Sequence, residues 1–575
     1  MVKRHLHRLR HAATLVLIPL VVLGGCDMAP TYKGAPKLTF PDVWSDSTHG
    51  AVRWPRNMGK AIPADALPRG PWWTVFNDPL LNRMEEKLAT SNPDLQAAAE
   101  AFLQSRDVAR ESEALLYPQS AGSAWASYNK GSLGRLYFSR RSHSLEYESN
   151  QGYQGAATWE PDFWDSIRNT TRMEKNQAQA TAADYANARL SLQSELARQY
   201  ILLRGLDAQD AVYRDSIRYF SAAVDITRMR QGGAIGAGLD VSRAEDQLYS
   251  AQGALSHLKA QRAVTEHAIA VLLNTTPAAF HIKPMPGFTI RIKEVPIEPG
   301  LPSTLLERRP DIAASERQLA GAVASIGVAR AAFYPHITLS ASGGFQNGGF
   351  DLAQMAMAMW RVAIQAAERV YTGGLRRAAL QRSWSSYRQS FDEYRATVLE
   401  AFKEVEDNLS RTKLYARERR QLHRAVEAAL RTQSMTMALY TGGLSNYLDA
   451  LVAQQDALKA RLNEVSAQTE QLQSTVSLIR ALGGGWRASD MPTIAQIDPV
   501  GPLQYEGLHY ALSVGGVPNG VHFKGLAPPK VDSNLASPLP VQAPLPSSSA
   551  AQGSEKSGND EGGSRLPADG PVRWW

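Results

Sequence analysis

Hydrophobic positions along this chain follow two periods, and the switches between them mark its organisation. From Asp165 to Gln231 there is no proline and one glycine, Gly205; from Leu375 to Thr441 there is neither. Apolar residues recur at helical spacing in both, as Leu192, Leu196, Tyr200 and Leu203, and as Val398, Phe402, Val405 and Leu409. One buried stripe per helix makes that pattern. The spacing predicts two helices of about 100 Å each at 1.5 Å per residue. Helices so long must lie against others like them, in a coiled coil or a tube. Returning helices are predicted over Leu239–Leu273 and Asp449–Leu482. Each spans about half that length. Leu80–Leu115 and Leu301–Ala331 can supply the other half of the same side.

The period changes to two at His336-Ile337-Thr338-Leu339-Ser340-Ala341-Ser342, with Ile337, Leu339 and Ala341 on one face. That alternation predicts a strand with one apolar and one polar side. The window 120–162, rich in Ser, Gly, Tyr and Trp, reads as two strands joined by a polar loop near Asn129–Arg141. Met355–Val370 reads as a fourth strand, although its Met and Ala would also suit a helix. Past residue 25 no apolar run reaches the length of a membrane-spanning helix. A membrane crossing by this chain would have to use strands. Four strands cannot close a barrel, and an open edge in lipid leaves backbone groups unpaired. Two chains would supply eight strands and three would supply twelve, so a barrel demands an oligomer.

The order of signals occurs twice. Asn92-Pro93-Asp94-Leu95 leads to Leu116-Tyr117-Pro118, and Arg309-Pro310-Asp311-Ile312 leads to Phe333-Tyr334-Pro335, with the same interval between prolines. Gly232-Gly233 precedes Leu239-Asp240 and Ala244, as Gly442-Gly443 precedes Leu448-Asp449 and Ala453. One duplicated unit accounts for this: helix, two strands, very long helix, glycine turn, helix. The copies are expected over residues 71–290 and 291–489. After Gly483-Gly484-Gly485-Trp486 periodicity is lost, and residues 490–575, increasingly rich in Pro, Ser and Gly, read as a disordered tail.

The N-terminus reads as a processing signal. Lys3, Arg4, Arg8 and Arg10 precede an apolar run from Ala12 to Leu23, and Leu23-Gly24-Gly25-Cys26 closes it. Residues 1–25 have the form of a secretory leader. Small residues before the thiol resemble a lipoprotein signal, with Cys26 acylated as the first mature residue and residues 26–70 an extended linker. Cys26 is the only cysteine, which excludes an intrachain disulfide and a CxxC site. The leader carries four of the basic groups behind the formal charge of +7. The rest is a mild excess without a basic stripe, so no nucleic-acid partner is expected. The 12 His form no HExxH. Gly232-Gly233-Ala234-Ile235-Gly236-Ala237-Gly238 lacks the spacing and the Lys-Ser/Thr of a phosphate cradle. No catalytic, cofactor-binding or metal-binding residues are expected, and the chain is read as not an enzyme.

Four segments together resemble the TolC-like outer-membrane factor family, in its NodT-type lipoprotein branch. They are Trp72-Trp73-Thr74-Val75-Phe76-Asn77-Asp78-Pro79-Leu80, Leu306-Glu307-Arg308-Arg309-Pro310-Asp311-Ile312, Ile326-Gly327-Val328-Ala329-Arg330-Ala331-Ala332-Phe333-Tyr334-Pro335 and Leu482-Gly483-Gly484-Gly485-Trp486. The resemblance spans roughly residues 70–486. It implies a mainly α chain with a β-barrel portion: a homotrimer whose twelve strands form one outer-membrane barrel, continued by an α-helical tunnel. It implies docking on a periplasmic adaptor and an inner-membrane efflux pump, with outer-membrane lipid around the barrel and no cofactor. It places the glycine turns, with Gly232, Gly233, Asp240, Gly442 and Gly443, at the periplasmic tips, and Tyr447, Leu448 and Asp449 at the pore constriction. Asp449 would also suit a helix start on electrostatic grounds alone. The chain departs from the family pattern at Pro161, Asp165, Tyr371-Thr372 and Val452. Asp27, after the acylated cysteine, directs inner-membrane retention in some bacteria. The competing readings are a periplasmic coiled-coil adaptor or scaffold lipoprotein, which needs no strand pairs between its helices, and a lipid-anchored enzyme, which needs a polar constellation not found here.

Overall fold

The computed structural model describes residues 26–34, 71–130, 147–285, 308–347 and 358–491. The expected leader, residues 35–70 of the linker, loop residues 131–141, residues 301–307 and the tail from residue 492 lie outside them.

After a 3-10 turn at Trp72–Phe76 come helices α1 (Pro79–Ser91) and α2 (Pro93–Ala114). Strands β1 (Gln119–Lys130) and β2 (Tyr147–Trp159), long helix α3 (Ser166–Gly232) and α4 (Gly238–Leu272) follow. The second set is α5 (Pro310–Ala331), β3 (His336–Asn347), β4 (Ala358–Ala367), α6 (Leu375–Thr441) and α7 (Tyr447–Ala481). Matching helices have equal lengths: 22 residues in α2 and α5, 67 in α3 and α6, 35 in α4 and α7. The strands form one antiparallel sheet in the order β1-β2-β3-β4.

Two expectations are corrected. The stretch Leu80–Leu115 is two helices, because Asn92 before Pro93 is held extended at φ −69°, ψ 125°. Its side chain accepts from Leu95 N at 2.9 Å and starts α2 afresh. The fourth strand is shorter than Met355–Val370, running Ala358–Ala367 within the described residues.

Four long helices lie side by side in the order α4, α3, α7, α6. Helix α3 also packs on α2 and α5, and is the centre of the fold. The main core gathers Trp72, Phe76, Leu81, Leu88, Leu196, Ile201, Val405, Val476 and Ile479 where the two repeats meet. The four segments that carried the family resemblance all sit in structural joints. Asp78 caps α1 and accepts from the Tyr200 hydroxyl at 2.6 Å. Arg309 donates to the Ala481 carbonyl and to Glu404, both at 2.9 Å, and pairs with Asp311 at 2.6 Å. Gly483 has φ +89°, and a Cβ there would stand 2.0 Å from the Arg308 carbonyl oxygen. So the Arg-Pro-Asp and Gly-Gly-Gly segments close on each other, and only glycine fits between.

At the entry to each long helix the chain turns through the left-handed region. Gly374 does so at φ +88° before α6; its counterpart before α3 is Asp165, at φ +51°. Asp is among the few side chains that tolerate this. The Asp165 carboxylate is buried and held by Arg168 at 2.7 Å.

Candidate functional site

The sheet has two chemically different faces, fixed by its register. Ile364 pairs with Leu339, Val362 with Ala341, and Phe345 with Tyr153. With Ile337, Trp360 and Trp159 these make one face apolar. Trp360 is 81% exposed, Val362 74% and Ile364 72%. On the other face Thr338 pairs with Gln365, Ser342 with Arg361, Thr158 with Ser340, and Gln154 with Ser123. Apolar-out, polar-in alternation is what lipid on one side and water on the other require. Aromatic rings stand at two levels of this wall. Tyr153 and Phe345 pack 5.3 Å apart near the far end. At the helix end Trp159 and Trp164 donate to the carbonyls of Leu116 and Pro335, each at 2.9 Å, and Trp164 stacks on Tyr334. Rings with an apolar body and a polar edge suit a membrane–water boundary. Strands β1 and β4 each have one open edge.

The two helix tips lie at the other end of α3 and α6. In the first, Gly233 N donates to Met229 O and Gly236 N to Arg230 O, both at 3.0 Å, with Ala234 at φ +59°. In the second, Gly443 at φ +76° reverses the chain, and its N–H donates to Tyr440 O at 3.0 Å. Asn446 then starts α7, accepting from Asp449 N at 3.0 Å. The Ser445 hydroxyl donates to the Asp449 carboxylate at 2.7 Å. Asp449 is thus part of a helix-start motif, and it is also exposed to solvent.

The three residues expected at the constriction do not share a surface in this conformation. Tyr447 is 1% exposed. Its ring packs edge-on against Tyr440, centroids 5.2 Å apart, inside the tip. Burial pushes its hydroxyl up to about 12, assisted by Tyr440 and the Asp240 carboxylate. Leu448 and Asp449 face outward. Two features were not foreseen. Leu444, 80% exposed, joins Leu448 and Val452 in an apolar strip along one side of the tip. Arg230, at the end of α3, donates to the carbonyls of Tyr440 (2.8 Å) and Thr441 (3.2 Å) and lies over the Tyr440 ring. It thereby caps the end of α6 and ties the tips together. A run of exposed leucines gives the first of these a weak sequence signal; the Arg230 link has none.

Among the described residues no group of three His, Cys, Asp or Glu is placed to hold a metal ion, and no helix is long and apolar enough to cross a membrane.

A family model described as "Outer membrane efflux protein" matches residues 86–275 and 301–484. The chain is 29% identical over 438 residues to the pyoverdine export outer membrane protein OpmQ of Pseudomonas putida, covering 75% of this chain and 92% of that one. It is 28% identical over 476 residues to outer membrane protein OprJ of Pseudomonas aeruginosa, covering 82% and 95%. In structure it matches the Campylobacter jejuni CmeC outer membrane channel with a TM-score of 0.74 at 22% identity, over 82% of this chain and 97% of that one. That last likeness concerns the fold.

Proposed function

This chain belongs to the outer membrane efflux protein family, and from that premise we propose that it works as a homotrimeric exit duct of a tripartite efflux system. The observation that carries this reading is the four-stranded sheet with one apolar face, one polar face and two open edges. Three copies joined edge to edge make a twelve-stranded wall with no unpaired backbone facing lipid. The helices continue the bore towards the periplasmic adaptor and the inner-membrane pump. The pump supplies energy and chooses the cargo, so the duct carries out no chemistry. Residues 71–290 and 291–489 act as the two repeats of each protomer, behind a leader of residues 1–25, and Cys26 bears the lipid. The exposed tip residues Leu448 and Asp449 narrow the closed entrance, with Tyr447 supporting them from inside. Gly232, Gly233, Gly442 and Gly443 let the tips shift.

The test is direct. Purified protein should run as a heat-resistant trimer and conduct ions in planar bilayers. A non-conducting monomer that stays soluble once its lipid is removed would point to a scaffold instead. Cys26→Ser should abolish fatty-acid labelling; normal labelling of that variant would rule out acylation at this residue.

A further inference from the structure

The start of the mature chain is bound at a specific place. Cys26 N donates to the Phe163 carbonyl at 3.1 Å, in the short link between β2 and α3. The Asp27 carboxylate accepts from Ala29 N at 3.0 Å, from the Asn169 amide at 3.1 Å and from Arg172 at 2.6 Å. Those last two side chains lie in the first turns of α3. The Met28 carbonyl accepts from Arg330 of α5 at 3.2 Å, and the Tyr32 hydroxyl donates to Glu316 of α5 at 2.7 Å. Between these anchors the chain runs so close to α5 that a Cβ on Gly327 would stand 2.8 Å from the Ala29 methyl and 2.5 Å from the Asn169 amide. Gly327 therefore leaves a slot for the segment, which explains a glycine inside a helix. Burial acts to raise the Asp27 pKa, but the hydrogen bonds from Ala29, Asn169 and Arg172 prevail and lower it. It is a charged anchor at neutral pH.

We infer that residues 26–34 are a docked strap, held in a receptor built by both repeats, which fixes the lipid-bearing sulfur at the border between sheet and helices. Asn169 and Arg172 come from the first repeat; Glu316, Gly327 and Arg330 come from the second. The Cys26 side chain stays exposed, and its N–H is bonded to the residue just before Trp164, which stacks on Tyr334. Acyl chains on that sulfur enter the periplasmic leaflet without any slack chain, and the strap braces α3 against α5. Arg172 and Asp27 are positioning residues. The inference rests on the reading of Cys26 as the acylated first residue.

Lys33 is exposed within the strap, so a lysine-specific protease can report its docking. Full-length trimers in detergent would be digested and the released peptide Cys26–Lys33 followed by mass spectrometry. Asp27→Asn and Arg172→Ala should each speed its release roughly tenfold, as expected for loss of a charge-assisted hydrogen bond. The double variant should be no faster than either single one, because both remove the same contact. Trimer content and conductance should be unchanged. Wild-type release rates in both single variants would overturn the docking, and a double variant whose effect is the product of the two would overturn the Asp27–Arg172 contact as its anchor. If Arg172→Ala fails to assemble, Asp27→Asn decides alone, since that residue lies outside the barrel and the helices. A released peptide without acyl mass would overturn the lipid placement and the acylation reading, while the rates would still judge the docking.

Discussion

The two long helices have the same length and opposite surroundings. Each has 67 residues, but α3 has 27 buried residues and α6 has eight. Where α3 buries Val212, Phe220 and Val224, the matching positions of α6 are Gln421, Ala429 and Gln433. Leu190 is 7% exposed in α3 and its counterpart Leu399 is 53% exposed in α6. Helix α3 is enclosed by α2, α4, α5 and α7, whereas α6 ends the row and packs mainly on α7 and α5. The duplicated unit has thus been divided between two tasks. One copy of the long helix folds the protomer, and in the proposed trimer the exposed side of the other is free to meet a neighbouring copy of the chain.

The largest expected effect comes where the two helices are alike. Leu196 and Val405 occupy matching positions, both at 0% exposure in the same core. Proline at Val405 should cost about 3 kcal/mol or more from the helix alone. Protomer folding and trimer yield should fall together. Normal trimers from Val405→Pro would mean that α6 is not one continuous buried rod. The next test separates the helices. Leu190→Ala should lower protomer stability by about 2–5 kcal/mol, the usual range for a buried leucine. Leu399→Ala should change it by less than about 0.5 kcal/mol, yet reduce trimer recovery. Equal losses in thermal melting of the two variants would refute the division of labour.

Much of this organisation was legible because period is a local property. The predicted stretch Asp165–Gln231 became Ser166–Gly232, and Leu375–Thr441 kept its ends. Alternation in 336–342 gave the faces of β3, and its neighbours followed by register. The tip was less legible. Tyr447 and Leu448 are adjacent, both apolar enough to bury, and which one turns inward depends on α6 behind them. Tyr440 decides it by packing on Tyr447. The Arg230 link joins residues more than two hundred positions apart, and no spacing rule reaches that far. The break at Asn92 was not read from the stretch Leu80–Leu115, although Pro93 after it marks the start of a second helix. The four resemblance segments identified the family through its joints, and so said little about its pore.

The tips allow the same comparison between repeats on a smaller scale. Asp449 begins α7 as Asp240 begins α4, but Asp449 is exposed while Asp240 lies nearer the buried tyrosines. Three copies of Asp449 around an axis would form an acidic ring that attracts cations. Asp449→Asn should weaken block by millimolar divalent cations and lower cation preference in single-channel recordings, while Asp240→Asn should do neither. The effect should shrink at high salt. Leu448→Ser should raise leak conductance by itself. If Asp449→Asn leaves block and ion preference as they were, its role ends with the helix start it shares with Asn446 and Ser445.

The smallest effect concerns a charge that only the enclosed helix can use. Asp215 on α3 accepts from Arg461 of α7 at 3.0 Å and also pairs with Arg218. The matching residue of α6 is Arg424. Burial acts to raise the Asp215 pKa, but the hydrogen bonds and charges of Arg461 and Arg218 outweigh it and hold it below the ordinary carboxylate value. A lowered folded pKa means the stabilisation is complete above the unfolded value, about 3.9. It is lost as pH falls through the folded one. The side chain is 43% exposed, so solvent screening keeps the whole contribution below about 1 kcal/mol. Asp215→Asn should therefore melt slightly lower than wild type at pH 7.5, and the gap should close as pH drops below the ordinary carboxylate range. It should also narrow in strong salt. Identical melting at pH 7.5 would mean that the bridge between α3 and α7 contributes nothing measurable, and that the apolar seam alone holds the enclosed helix in place.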